Sequence, residues 1–413
     1  MVSQALRVIA GAFNGAKAAS DRDAAPKGDA ARPRRLLPLV FVLASRNLFH
    51  DRVRLIATVV GIVFSIILVT VQMGLYLSFS RMVTTMIDHA EADLWIVPRG
   101  TKCFEDPSLL DERERFRALA VAGVAEAAPV VIGFAEWRLP RGGATPVFIV
   151  GSDKEKPGLQ PWNIVAGSID QLATPDAVAV DESYFERLGV SRIGDIAEMR
   201  QRKARVAAIT KGIRSFTTTP YVFTTFDRAR GYIGIANNKA TYFLVRVAPG
   251  NDIETVRRQI ADNVKDSEVL TEAEFRERSR SFWLFGTGAG AALFAGALLG
   301  VIVGTVIVAQ TLYSSTKDHL NEFATLRAIG SSSVYIVKVI LWQALLSAVI
   351  GFIIAAGIGL LVVKLTADTA LPVLMTPTLM AGLFALTVIM CAVSAISAIL
   401  EVMRIDPAMV FTR

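Results

Sequence analysis

Three histidines, His50, His89 and His319, and two cysteines, Cys103 and Cys391, are the soft metal ligands and ready nucleophiles of this chain. They are scattered over 413 residues with no H-E-x-x-H and no paired-cysteine spacing, so they specify neither a zinc site nor a disulfide framework. Cys103 stands in a polar stretch and Cys391 inside an apolar run, which keeps the two apart. Gly286, Gly288 and Gly290 could cradle a phosphate. They open a long apolar segment instead of following a strand, however, and no G-x-x-x-x-G-K-[ST] loop occurs, so this chain is expected to bind no nucleotide. With no nucleophile beside a base and no metal cluster, it reads as non-enzymatic and without a cofactor of its own.

The elements that must position any function are mostly hydrophobic. Of all residues 53% are apolar and 20% charged, against roughly 25% charged in soluble domains. The net charge of +7 does not describe a nucleic-acid surface: residues 1–54 hold ten Lys/Arg and four Asp/Glu, +6 of the excess. Residues 55–79, 282–315, 339–363 and 369–400 contain no Asp, Glu, Lys, Arg or His, and each is long enough to cross a hydrocarbon core that needs about 20 residues. The expected fold is an α-helical four-span transmembrane domain plus a large α+β extracytoplasmic domain inserted between spans one and two. Spans are placed at 55–80, 282–315, 337–363 and 377–400, with the inserted domain at 81–281 and a short outer loop at 364–376. Four spans leave both termini on one side, and the positive-inside rule makes that side cytoplasmic. Facing it are a basic leader (1–38), residues 316–336, and a tail (401–413). Ala16-Lys17-Ala18 resembles a signal-peptidase site, but Arg7 and Asn14 interrupt the apolar stretch before it.

Residues 39–54 alternate apolar side chains with Arg46, Asn47, Asp51, Arg52 and Arg54, the pattern of a helix along the membrane surface; an ordinary charged flank of the first span is the alternative. In the inserted domain, β-branched or alternating runs predict strands at 92–97, 130–134, 146–150, 177–180, 204–209 and 241–247, forming a small sheet. Helices are predicted at 109–120, 182–188 and 252–264, with Gly189 ending the second and Gly194 in a tight turn. Gly296, Gly300 and Gly304 recur every fourth residue along one face of the second span. That stripe serves either a dimer seam or packing among the four spans. The spans hold no acid, base or histidine to carry a coupling ion, only Gln72, Gln310 and Gln343 as main polar exceptions, so transport energy would have to come from outside the membrane.

After the second span, Leu320, Phe323, Ala324 and Leu326 fall at helical spacing, flanked by Glu322 and Arg327 and stopped by Gly330. By themselves these residues suit a plain connector or a docking helix. Here the chain resembles a family: EFATLRAIG is similar to the cytoplasmic coupling segment of MacB/FtsX-type ABC transporter permeases. Arg46-Asn47-Leu48, followed by Arg52, Arg54 and Gly61, resembles their elbow into the first span, and Asp406-Pro407-Ala408 resembles their terminal D-P-A-x-V-F motif. The ATL and DPA variants look most like the DevC, glycolipid-export branch; the basic leader lies outside the pattern.

The resemblance implies a permease dimer, of two copies or two paralogues, on a separate cytoplasmic ABC ATPase that holds ATP and magnesium. Glu322, Phe323, Leu326, Arg327 and Gly330 would form the coupling site, with Phe323 and Leu326 in an apolar cleft of the ATPase. It also implies a periplasmic membrane-fusion adaptor and an outer-membrane duct, in the inner membrane of a bacterium, for a lipid or amphipathic cargo. Two other readings stay open: an FtsX-like signalling permease acting on a wall hydrolase, and a receptor or scaffold without ATPase. A nucleic-acid partner is not expected.

Overall fold

The computed structural model describes residues 39–403 except 140, 141, 155, 156, 320, 321, 323, 326–328, 368 and 370. Two compact units emerge. One holds the chain through Gly74, Leu293–Leu365 and the chain from Val373 on; the other holds Leu75–Ala292 and Thr366–Pro372.

Among the described residues four helices are long and apolar enough to cross a membrane: Arg52–Met82, Ala289–Asp318, Ser333–Thr366 and Pro377–Leu400, the last continuing to Met403. Their mean hydropathy is 2.5 to 2.7. The first is unbroken over 31 residues. The second starts at Ala289, seven residues later than its charge-free run begins. Helix Glu272–Ser281 passes into a π-helical turn, Phe282–Gly286, and Gly288 then takes φ +78°, a conformation that L side chains rarely adopt. Lack of charge marks what lipid tolerates; it does not register a backbone joint.

The spans pack through small residues. A Cβ on Gly61 would stand 2.4 Å from Ile307 Cγ2, and one on Gly351 2.5 Å from Ile62 Cγ2. Such contacts bring backbones within reach of hydroxyls: Ser65 Oγ donates to the Gly300 carbonyl at 2.7 Å, and Ser394 Oγ to that of Thr305 at 2.9 Å. Around them Ile62, Ile66, Val308, Ile340, Ala344 and Ala395 form a buried cluster. Gln343 is buried, whereas Gln310 is exposed.

The inserted domain is richer in strands than expected. Its strands are β1 (Leu94–Pro98), β2 (Leu110–Asp111), β3 (Val124–Arg138), β4 (Ala144–Ser152), β5 (Ile164–Gly167), β6 (Ala177–Asp181), β7 (Ile196–Met199), β8 (Arg202–Thr210), β9 (Tyr221–Thr224), β10 (Lys239–Ala240), β11 (Tyr242–Val247) and β12 (Ser267–Thr271). Ten of them form one sheet, in place of the small sheet predicted, with order β12-β1-β11-β3-β4-β9-β6-β8-β5. The long β3 serves three partners. Its first half pairs with β11 and its second with β4, the change falling at Val130, opposite both Tyr242 and Ser152. β7 joins β8 to the far end of β3 at Arg138–Glu198, so β3, β4, β9, β6, β8 and β7 close into a ring. Strand alternation separates two cores: Val131, Trp137, Val147 and Ile149 belong to one, and Val130, Ile132, Phe148 and Val150 to the other.

Helix Phe226–Ile233 lies against β3 and β4 where glycines leave room. A Cβ on Gly151 would come 2.2 Å from that of Ala229, and one on Gly133 2.8 Å from Ile233 Cγ2. The predicted helix at 109–120 begins as β2 and turns helical only over Arg113–Leu119, because Asp111 accepts a hydrogen bond from Arg113 N and starts the turn there. Asp252 caps helix Ile253–Asn263 by accepting from Thr255 N at 2.9 Å, and Gly189 ends the Phe185–Leu188 turn at φ +64°.

One acidic group sits against the domain's packing. Burial pushes the Glu105 carboxyl up to about 7, against the pull of hydrogen bonds from the Trp283 indole, the Cys103 thiol and the Tyr221 hydroxyl. A carboxyl raised in this way favours the fold while protonated. Its contribution is full below about pH 4.5, where the unfolded chain also binds the proton, and is lost as pH rises through about 7. Glu105→Gln is therefore expected to stabilise the protein above pH 7 by about 2 kcal/mol. Thermal melting from pH 5 to 8 checks this: the wild type should lose stability across the range more steeply than the variant.

Candidate functional site

The elbow helix, Leu39–His50, precedes the first span, and Glu322 follows the second. Asp51 separates the elbow helix, Leu39–His50, from the first span and caps the latter, its Oδ1 accepting from Arg54 N at 3.2 Å. On the elbow, Arg46 is exposed while Asn47 and Leu48 are half-buried. Phe41 of the same helix meets Trp342 of the third span edge to face, with centroids 5.5 Å apart. The segment is thus a helix with one ring contact to the third span.

Arg54 then reaches across to the second span. Its guanidinium pairs with Asp318, the last residue of that helix, and lies 3.4 Å from Asp51. One step on, His319 Nδ1 lies 3.1 Å from Glu322 Oε2. Glu322 is exposed, Ala324 is buried, and Gly330 closes the segment at φ +102°. Ile329 stands 80% exposed beside it, an apolar side chain without cover in this unit. Phe323, Leu326, Arg327, Asp406 and Pro407 lie outside the described residues. The motifs carried Arg54 and Glu322 separately. The Arg54–Asp318 pair spans 264 residues and left no trace in local spacing.

The pair is partly solvated, with Arg54 and Asp318 side chains 23% and 59% exposed, so its strength should be modest. A double-mutant cycle of Arg54→Ala and Asp318→Ala, read by thermal melting, is expected to give an interaction of about 0.5 kcal/mol. Additive effects would mean that the two side chains do not hold each other.

The glycine stripe resolves clearly. Cβ atoms on Gly296, Gly300 and Gly304 would meet Gln72 at 2.6 Å, Val69 at 3.1 Å and Ser65 at 2.3 Å, all on the first span. Within the chain the stripe is a packing face against the first span. Gly286, Gly288 and Gly290 divide their roles. A Cβ on Gly290 would sit 2.6 Å from the Leu284 carbonyl oxygen, a close approach, whereas Gly288 supplies the left-handed turn and has nothing within 4 Å. In the inserted unit, Arg214 Nη1 donates to the carbonyls of Ala367 and Thr369 at 2.6 and 2.8 Å, fastening the segment that links spans three and four. Among the described residues no group of three or more His, Cys, Asp or Glu side chains could hold a metal ion.

Residues 55–263 match the MacB-like periplasmic core domain, and residues 293–407 match the FtsX-like permease C-terminal domain. The chain belongs to the MacB/FtsX family of ABC transporter permeases. In a MacB/FtsX permease the ATPase is a separate subunit, and the family implies such a partner and a dimer. With four membrane-capable helices, this permease is a multi-pass membrane protein. It is 24% identical over 396 residues to the uncharacterized ABC transporter permeases MT0078 and Rv0072 of Mycobacterium tuberculosis, covering 89% of this chain and 98% of those. It is 22% identical over 183 residues to the uncharacterized ABC transporter permease MJ1507 of Methanocaldococcus jannaschii, covering 42% of this chain and 44% of that one. Among solved structures, the periplasmic region of MacB from Actinobacillus actinomycetemcomitans aligns at 10% identity and TM-score 0.36, over 46% of this chain and 94% of that region. The extracellular domain of the transporter YknZ from Gram-positive bacteria aligns at 13% identity and TM-score 0.32, over 44% and 99%.

Proposed function

We propose that this permease passes the work of a separate cytoplasmic ABC ATPase, which holds ATP and magnesium, to its periplasmic domain, and so exports a lipid or other amphipathic substrate. The observation that carries this reading is the Arg54–Asp318 pair. It ties the foot of the first span to the helix end from which the segment Glu322–Gly330 continues, so a push on that segment is felt by both spans at once. On this reading Glu322, Phe323, Leu326, Arg327 and Gly330 would engage the ATPase, and the tail with Asp406 and Pro407 would be cytoplasmic too. The excess of Lys and Arg before the first span supports cytoplasmic termini and insertion in the inner membrane, with residues 81–281 outside. A membrane-fusion adaptor and an outer-membrane duct would complete the route, with a second copy or a paralogue completing the dimer.

Gentle purification of the tagged protein from its own membranes tests the reading. An ATPase together with an adaptor supports export. An ATPase with a wall hydrolase and no adaptor would replace export by signalling, and the absence of any ATPase would overturn the assignment of Glu322–Gly330.

A further inference from the structure

The inserted domain contains a pocket that none of the family features explains. Its volume is about 310 Å³, at the lower end of the range of about 300–1,000 Å³ usual for small-molecule sites. Phe134, Phe148, Tyr221, Phe282 and Trp283 line it, with Glu105 among them. The rings pack edge on. Phe134 and Phe148 have centroids 4.9 Å apart at 81°, Phe148 and Tyr221 5.6 Å at 87°, and Phe282 and Trp283 5.3 Å at 74°. Each edge-on pair sets the edge of one ring against a face of the other, the rings together line the pocket, and a ring face carries negative potential. Phe134 is 54% exposed, an apolar side chain left open at the rim.

Glu105 gives this apolar lining its sign. Trp283 Nε1 donates to Glu105 Oε2 at 2.9 Å and holds the carboxyl in place. Its side-chain partners are hydrogen-bond donors, the Trp283 indole, the Cys103 thiol and the Tyr221 hydroxyl, and none of these is a cation. An anion would meet repulsion here, and a neutral apolar molecule would leave the carboxylate as costly to bury as before. A cation with an apolar body would satisfy both the carboxylate and the rings.

We propose that this pocket binds a free lipophilic amine in its protonated form, the ammonium paired with Glu105 and the apolar body against Phe134, Phe148 and Trp283. The inference goes beyond the export reading and does not depend on it, since binding is measured without an ATPase. Affinity should rise with pH as Glu105 ionises near 7. Of the other titratable groups facing it, Cys103 is pushed up to about 12 by burial, and Tyr221 and Tyr242 are raised well above the usual phenol value, so these three keep their protons throughout. Lys102 and Asp106 also line the pocket.

The full chain in dodecyl maltoside, titrated calorimetrically with 4-phenylbutylammonium and with 4-phenylbutanol, tests the proposal. At pH 8.5 the ammonium should bind about tenfold more tightly than the alcohol, and that preference should shrink at pH 5.5. Glu105→Gln should abolish both the preference and its pH dependence. Phe134→Ala, a change at an exposed position that the fold tolerates, should weaken both ligands. Competition by added phosphatidylethanolamine would identify an aminolipid headgroup as the natural source of the ammonium and overturn the free amine. Equal binding of ammonium and alcohol, or a preference that survives in Glu105→Gln, would overturn the site itself. Neither result would bear on whether an ATPase co-purifies.

Discussion

Replacing Phe323 and Leu326 together with aspartate is expected to release the ATPase while leaving the permease inserted and folded. Two apolar side chains seated in a partner's cleft each contribute about 2 kcal/mol when they act as anchors, and a buried aspartate adds a desolvation cost. A total near 4 kcal/mol weakens the complex about a thousandfold. Co-purification from membranes should then fail, and the complex's nucleotide turnover should no longer respond to the permease. The comparison that isolates the effect is Arg46→Ala, at an exposed elbow position, for which only a small loss is expected. If the double variant retained its ATPase, the anchors would have to lie elsewhere, with the exposed Ile329 as the first alternative.

The second large effect concerns the span bundle. Gly304→Leu should lower the protein's stability by about 3 kcal/mol, the upper end of what overpacking a tight core costs. The added Cβ alone would lie 2.3 Å from Ser65 Oγ and 3.0 Å from Met390 Sδ, so the first and fourth spans would both have to retreat from the second. Retreat would also stretch the Ser65–Gly300 hydrogen bond, one turn away. Gly357→Leu and Gly382→Leu serve as references, because nothing lies within 4 Å of a Cβ at either position and both should melt as the wild type does. A dimer that cross-links normally in Gly304→Leu while its monomer fold loosens would agree with a stripe used within the chain. A normal melting temperature combined with a lost dimer would favour the dimer seam instead.

The sequence showed the spans more readily than the domain, and for a physical reason. Lipid forces a span to be written as a long charge-free run, whereas a strand needs only one face apolar. The core of β3 was visible at 130–134, but its second half hides behind Glu136 and Arg138, which point outward on alternate residues. β12, with Ser267, Glu268 and Thr271 in five residues, reads as a loop and is a strand because β1 pairs with it along its length. Helix Glu272–Ser281 is nearly all polar, with Phe275 and Ser279 its buried residues; its one local signal is the Thr271–Glu274 capping box, whose two hydrogen bonds are formed. In the site, motif resemblance supplied Arg54 and Glu322 but not Asp318, since an ion pair between distant segments has no periodicity. Glu105 was passed over for a similar reason. Its neighbours Tyr221 and Trp283 are more than a hundred residues away, and only the folded chain turns a single acid among aromatics into a pocket.

The two connections into the inserted domain differ in kind. The first span enters as one uninterrupted helix to Met82, while the second is reached through the π-turn at Phe282–Gly286 and the reversed backbone at Gly288. An intact helix behaves as a stiff rod that delivers both thrust and twist, whereas a glycine swivel accepts thrust and lets twist dissipate.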